Sequence, residues 1–424
     1  MRTSANSIKG PKRRSAFICL TASVAVILTL PAVAGEAVRE QTLTVASTWQ
    51  LPREPKVVCF ALSPDFATLA MMRTNDDVEI WSTATREPKR KIAAQIKPAD
   101  RFPLRSLLFS PDGQWLAVLS GGPLRLIPPA GGTNELVIGE ARENVARAKF
   151  SGDSRRLLVC GRTERVVNLP EGKPVGNFQA LGPGMVGRPM LRPLSRHGTP
   201  SRPIKSLASA LSPDGSEVAL GQTFWEAERW DVATGECRAF VSLGAGAMLS
   251  TSHVVSALNF APGGGQLVAV LDGNQWDVAV AERDGTWRTL LHQTPLGQKQ
   301  TVPRRAIKDA FFTPDGKEIV LVAEKLELGK DPFEMLNAKS VGAEVQFLDV
   351  AAGAVTRRLE SAPACFFSQA WVTADGRRLM VLQRSYAMTP RTHNERQSQH
   401  LREADLTAAL LTVSLDPQPK TGNP

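Results

Sequence analysis

The sequence predicts an all-β, seven-bladed β-propeller. Three observations predict it: a tight-turn motif that recurs seven times, short apolar runs on both sides of each copy, and an unpaired first strand matched by a missing last one. The motif is clearest at Ser110-Pro111-Asp112-Gly113. It returns as Ser63-Pro64-Asp65-Phe66, Ser151-Gly152-Asp153-Ser154, Ser212-Pro213-Asp214-Gly215, Ala261-Pro262-Gly263-Gly264, Thr313-Pro314-Asp315-Gly316 and Thr373-Ala374-Asp375-Gly376. Proline presets φ at the first central turn position, aspartate caps the turn, and glycine supplies a positive φ. A carboxylate repeated once per unit in this way is scaffold, so Asp112, Asp214, Asp315 and Asp375 are assigned to no site. Repeats of roughly 40–45 residues read as blades of four strands.

Taken in order, residues 42–47 form a lone strand with no partner nearby in sequence. The first unit has strands at 57–62, 68–73, 78–82 and 89–96. The second has 104–109, 115–119, 124–127 and 135–138, and the third 146–150, 156–160, 165–169 and 175–178. The fourth is the clearest, with 207–211, 217–220 and then Ala227-Glu228-Arg229-Trp230-Asp231-Val232-Ala233-Thr234-Gly235. The seventh has 370–373, 379–383 and 408–415 and stops one strand short. Closing the ring by pairing 42–47 with 408–415 supplies that strand and hides two edges that otherwise aggregate.

The stretch 227–235, with its Trp-Asp pair and Thr-Gly turn, resembles the WD40 signature. Leu348-Asp349-Val350-Ala351-Ala352-Gly353 is a degenerate copy. The Ser-Pro-Asp-Gly turns are also similar to those of exported bacterial propellers of the TolB type. The resemblance spans residues 55–415 and implies the fold but no particular activity. The WD40 Gly-His dipeptide has no counterpart here, so the chain is WD40-like, and the family's His–Asp network is not carried over.

The first residues read as an export signal. A basic stretch from Lys9 to Arg14 precedes the apolar run 16–30, and Pro31-Ala32-Val33-Ala34 places small residues in an A-x-A arrangement. Residues 1–34 are therefore expected to be a signal peptide cleaved after Ala34, delivering the protein to the periplasm or the outside. Residues 35–40 follow as a short linker, 41–416 as the propeller and 417–424 as a disordered tail. The alternative, residues 16–34 kept as a membrane anchor, also exports the domain, because flanking positive charge holds that end in the cytoplasm. The net charge of +10 overstates the propeller's basicity, since Arg2, Lys9, Lys12, Arg13 and Arg14 supply half of it.

Cys59, Cys160, Cys237 and Cys365 sit at different places in their units, on strands too far offset for disulfide reach. Four buried free thiols are expected.

With strands numbered outward from the axis, first–second and third–fourth connections share one face. The others share the opposite face. The turn motifs are all first–second connections. Long insertions at 180–203, 241–252, 293–305, 324–342 and 384–405 all fall on the other face, and insertions gathered on one face of a propeller mark a binding face. Residues 180–203 carry Arg188, Arg192, Arg196 and Arg202 without an acid, and 293–305 carry Lys299, Arg304 and Arg305 without one. Arginine suits carboxylate or phosphate because its fork binds them bidentately, so these seven residues are the candidate contacts to an anionic partner. Short helices are expected over 331–336, with Asp331 as N-cap and Pro332 at the first position, and over 394–404.

No catalytic signature appears. There is no HExxH, CxxC or Gly-x-Ser-x-Gly, and Gly263-Gly264-Gly265 is followed by no Gly-Lys-Ser/Thr. His393 and His400, with Glu395 and Glu403, read as a solvated loop rather than a metal site. No cofactor is expected, and the aromatics that stack on nucleic-acid bases are missing from both acid-free insertions. The expectation is a non-enzymatic exported propeller that binds a protein or other macromolecule through its insertion face. Two other readings stand beside it: a small-molecule binder or enzyme using the axial channel, and an envelope protein holding an anionic polymer through the arginine loops.

Overall fold

A computed structural model of the chain describes residues 40–52, 57–93, 105–132, 134–139, 145–161, 164–178, 208–222, 226–242, 254–272, 277–292, 304–327, 339–363, 365–385 and 407–416. The expected signal peptide, residues 35–39 of the linker, the tail 417–424 and the helices at 331–336 and 394–404 lie outside them. The described residues, within the unit Arg39–Pro424, contain strands and no helix.

Two strands come first, β1 (Gln41–Thr42) and β2 (Val45–Gln50). Blade 1 is β3 (Val57–Leu62), β4 (Thr68–Arg73), β5 (Val78–Ser82) and β6 (Pro88–Ile92). Blade 2 is β7 (Arg105–Phe109), β8 (Leu116–Ser120), β9 (Leu124–Ile127) and β10 (Leu136–Ile138). Blade 3 is β11 (Arg147–Phe150), β12 (Arg156–Cys160), β13 (Glu164–Asn168) and β14 (Pro174–Phe178). Blade 4 is β15 (Ala208–Leu211), β16 (Glu217–Gly221), β17 (Glu226–Asp231) and β18 (Cys237–Ser242). Blade 5 is β19 (Val254–Phe260), β20 (Leu267–Asp272), β21 (Asp277–Ala281) and β22 (Trp287–Leu291). Blade 6 is β23 (Arg304–Phe312), β24 (Glu318–Glu327), β25 (Lys339–Asp349) and β26 (Val355–Glu360). Blade 7 is β27 (Cys365–Val372), β28 (Arg378–Ser385) and β29 (Thr407–Ser414), completed by β2. Within each blade neighbouring strands run antiparallel, and the seven blades form the expected WD40-like propeller.

The apolar pattern explains why the blades pack face to face. Second strands such as Leu116–Ser120 and Glu217–Gly221 are buried along their whole length, because a neighbouring blade covers each side. Leu69 and Met71 of β4 face blade 7, while Ala70 and Met72 face blade 2. The core is accordingly seven separate apolar layers, one per blade junction. Each layer contributes by burying area at about 25 cal/mol per Å².

The two chain ends close the ring as expected, with a different register. Val45 pairs with Val413 and Gln50 with Ala409, so the outer strand of blade 7 is 45–50 rather than 42–47. Burial decides the shift. Trp49 and Leu51 enter the layer between blades 7 and 1, and Leu43 enters the layer between blades 6 and 7. Gln41 and Thr42 pair instead with Arg357 and Arg358, parallel to β26. The amino-terminal segment thus straps two outer edges.

Candidate functional site

The turn motifs form a closed set of hydrogen bonds. In blade 2 the Ser110 hydroxyl donates to Asp112 Oδ1 (2.5 Å), which also accepts from the Gln114 amide (3.0 Å), while Ser110 Oγ accepts from the Trp115 amide (2.9 Å). The same three bonds recur around Ser63, Ser151, Ser212, Thr313 and Thr373. The Ser63 hydroxyl holds Asp65 below the usual carboxylate range, and Thr313 and Thr373 do so for Asp315 and Asp375. At Asp214 burial pulls upward, but the bonds from Ser212 and Ser216 outweigh it. The turn carboxylates are engaged in their own turns, which is the chemistry of scaffold. Blade 5 has Ala261 and Gly263 in place of the hydroxyl and the carboxylate.

Turns of successive blades touch, placing them on one face: the Asp112 amide donates to Ser154 Oγ (3.0 Å) and the Asp153 amide to the Pro213 carbonyl (3.2 Å). Pro64, Pro213 and Pro262 lie under Gly113, Gly264 and Gly316, whereas nothing approaches Gly376. Where that contact is missing, a cleft of about 310 Å³ opens between blades 6 and 7, lined by Asp315, Glu318, Arg357 and Asp375. A smaller one of about 150 Å³ lies between blades 4 and 5 beside Gly263 and Arg283.

The opposite face is where the long connections begin and end. Residues 179–207, 243–253, 293–303, 328–338 and 386–406 all join strand ends on that side. Blade 6 is also taller there: β24 and β25 run 10 and 11 residues, against five in β8 and β16. β24 starts within one residue of where its counterparts start relative to their turn motifs, so the extra length lies on this face. The sequence-based insertion 324–342 therefore begins and ends as strand.

Of the seven candidate cations, Arg188, Arg192, Arg196, Arg202 and Lys299 lie outside the described residues. Arg304 opens β23. Arg305 is used within the fold. Its Nε donates to Oε1 of Glu344, a carboxylate with no exposed surface. Gln346 donates to the same oxygen (3.1 Å), and Lys325 and Arg358 lie 3.8 and 3.6 Å from the other. Outward, Lys325 pairs with Glu360 (2.6 Å) and Arg358 with Glu40 (2.7 Å). Three cations and three carboxylates are thus matched on this ledge.

Sequence reasoning missed a second polar device, buried in blade 4 and half-buried in blade 1. Trp81 donates its indole N–H to Glu79 (3.0 Å), and Trp230 donates to Glu228 (3.0 Å). Glu79 also takes Arg73 (2.5 Å), and Glu228 takes Gln222. The signal was the repeated Glu-x-Trp in the third strands of blades 1 and 4. The Asp of the Trp-Asp pair, Asp231, caps its turn by accepting the Thr234 amide (2.7 Å) and pairs with Arg238.

The four cysteines are free, as expected, but only Cys160 is fully buried while Cys59, Cys237 and Cys365 are half-buried. Burial pushes the Cys59 thiol up to about 12 and the Cys237 thiol up to about 11. Among the described residues no three His, Cys, Asp or Glu side chains gather as a metal site. His393 and His400 lie outside them. No helix among these residues is long and apolar enough to cross a membrane. Compared with protein-family models and with curated proteins, the chain matches none, and what it shares with WD40-like proteins is the seven-bladed β-propeller fold.

Proposed function

We propose that this protein is an exported, non-enzymatic propeller that docks a macromolecular partner on the face away from its turn motifs. One observation carries the reading: the turn-bearing face spends its repeated polar groups on its own turns, while every long connection leaves from the other face. Surface loops on a rigid scaffold are where binding residues concentrate. Export rests on the basic-then-apolar start and Pro31-Ala32-Val33-Ala34. The arginines of 180–203 favour an anionic surface on the partner, whether protein or polymer.

The test is a pull-down from envelope extract with three forms of the mature chain. Replacing 180–203 and 386–405 by short Gly-Ser connectors should abolish capture. A turn-face variant, Asp112→Asn with Asp214→Asn, should retain it. Arg188, Arg192, Arg196 and Arg202→Ala distinguishes partners: loss together with steep salt sensitivity marks an anionic polymer, and salt-insensitive capture marks a protein interface. Capture that survives the loop replacement and fails with the turn-face variant overturns the reading. Amino-terminal sequencing of the exported protein should begin at Gly35.

A further inference from the structure

The innermost strands line the axial channel, so a mid-strand side chain that is wet there is reached only along the channel. Lys149 of β11 is such a residue. Its Nζ lies 3.3 Å from Asn259 Oδ1 on β19. The contact joins blade 3 to blade 5, passing over blade 4, whose inner strand offers only Ala208, Ser209 and Ala210 before Leu211. The other end of the same amide is fixed by blade 6: Asn259 Nδ2 donates to the Ala310 carbonyl (2.7 Å) and to Asp309 Oδ1 (3.4 Å). The flipped amide would set N–H against an ammonium and oxygen against oxygen, so the carbonyl must face the lysine. Asp309 Oδ1 also accepts its neighbour's amide, from Ala310 (2.9 Å).

Among the described residues, neither Lys149 nor Asp309 has an oppositely charged partner within ion-pair distance. Lys149 and Asp309 are therefore a cation and a carboxylate joined only through the Asn259 amide, while the neighbouring Lys308 is taken up by Glu324 (3.2 Å). Lys149 and Asn259 each stand two residues before their turn motif. Leu108, Phe311 and Trp371 stand at the equivalent place in blades 2, 6 and 7, and all three are half-buried. That level lies roughly 7 Å inside the channel, at about 3.3 Å per residue. Leu108, Phe311 and Trp371 each pack against the layer between their blade and the next, and a charge pair with such apolar groups at its level is the chemistry that recognises a small amphiphilic zwitterion.

We propose that this part of the channel binds a free α-amino acid with an apolar side chain. The ligand carboxylate sits on the Lys149 ammonium, its α-ammonium on Asp309, and its side chain against Leu108, Phe311 and Trp371. The site is separate from the docking face and stands or falls independently of it.

The experiment is calorimetric titration of the purified exported protein with leucine and phenylalanine. Leucine should bind. The singly charged analogues 4-methylpentanoate and 3-methylbutylamine should bind about tenfold more weakly or worse, since a hydrogen bond to a charged group is worth about that factor. Lys149→Met and Asp309→Asn should each reduce leucine affinity by a similar factor without lowering the melting temperature. No binding of either amino acid at millimolar concentration overturns the proposal, as does binding that persists in both variants. If a variant fails to fold, the analogue series on the unaltered protein still decides.

Discussion

At the scale of single residues, the fourth turn position explains both the motif and its exceptions. All seven copies place it in left-handed backbone: Phe66, Gly113, Ser154, Gly215, Gly264, Gly316 and Gly376 have φ between 59° and 73°. Non-glycine residues pay about 1–2 kcal/mol there, and the two exceptions are compensated. Phe66 is buried between blades 7 and 1, and Ser154 accepts the bond from blade 2. Arg86 has no such compensation. It occupies a left-handed position (φ 60°) that glycine fills in blades 3, 4, 5 and 6 at Gly172, Gly235, Gly285 and Gly353, and its side chain is exposed. Arg86→Gly should therefore raise stability by about 0.5–1 kcal/mol after the entropy that glycine adds to the unfolded chain, measured by urea denaturation. An unchanged or lower midpoint would show that the strain is relieved elsewhere.

At the scale of elements, the amino-terminal strap and the outer edges belong together. Outer strands are the exposed edges of a propeller, and edges invite association. Blade 1 protects its edge with Pro88, Lys89, Arg90 and Lys91, and blade 2 with a strand of three residues. Blades 6 and 7 use the strap, which adds β1 to one edge and β2 to the other and buries Leu43, Trp49 and Leu51. Three such side chains are worth about 5 kcal/mol together, comparable to the net stability of a whole domain. Deleting residues up to 51 should give a chain that self-associates through β29 and melts without cooperativity. A synthetic peptide of residues 40–51 should restore the melt. The milder Trp49→Ala should cost about 3 kcal/mol. A monomeric deletion variant with an unchanged melting curve contradicts this role. The bulges in β3, β19, β23 and β27 are a second element-level device. Each inserts one residue, Val58, Ser256, Lys308 or Ser368, five places before its turn motif, bending the inner strand.

At the scale of the whole molecule, repetition turns a small local effect into a global one. Asp65, Asp214, Asp315 and Asp375 all titrate below the ordinary carboxylate range in the folded state. A depressed folded value means that the stabilisation is complete above the unfolded value, about pH 4, and is lost as pH falls through the folded one. The melting temperature should thus be flat near neutrality and drop below about pH 4. The fourfold Asp→Asn variant should start lower and show a shallower acid limb. An acid limb as steep as that of the parent would place the titrating groups elsewhere, with Glu79 and Glu360, also depressed, the next to test.

The sequence by itself determined the repeat, the blade count, the sense of ring closure and the face on which the connections are long. Each of these is written in local turn chemistry or in the order of apolar runs. Tertiary structure alone decided the rest. The closure register follows from which side chains the neighbouring blades bury, so Trp49 and Leu51 overrode the β-forming run at 42–47. Arg305 stands in an acid-free stretch of sequence, and its contact with Glu344 is not legible there, because Glu344 is remote in sequence and meets it only within the folded blade. Lys149 and Asn259 are 110 residues apart, and no local pattern joins them. They meet because seven similar blades bring their inner strands to one axis, where side chains from distant repeats share a single channel.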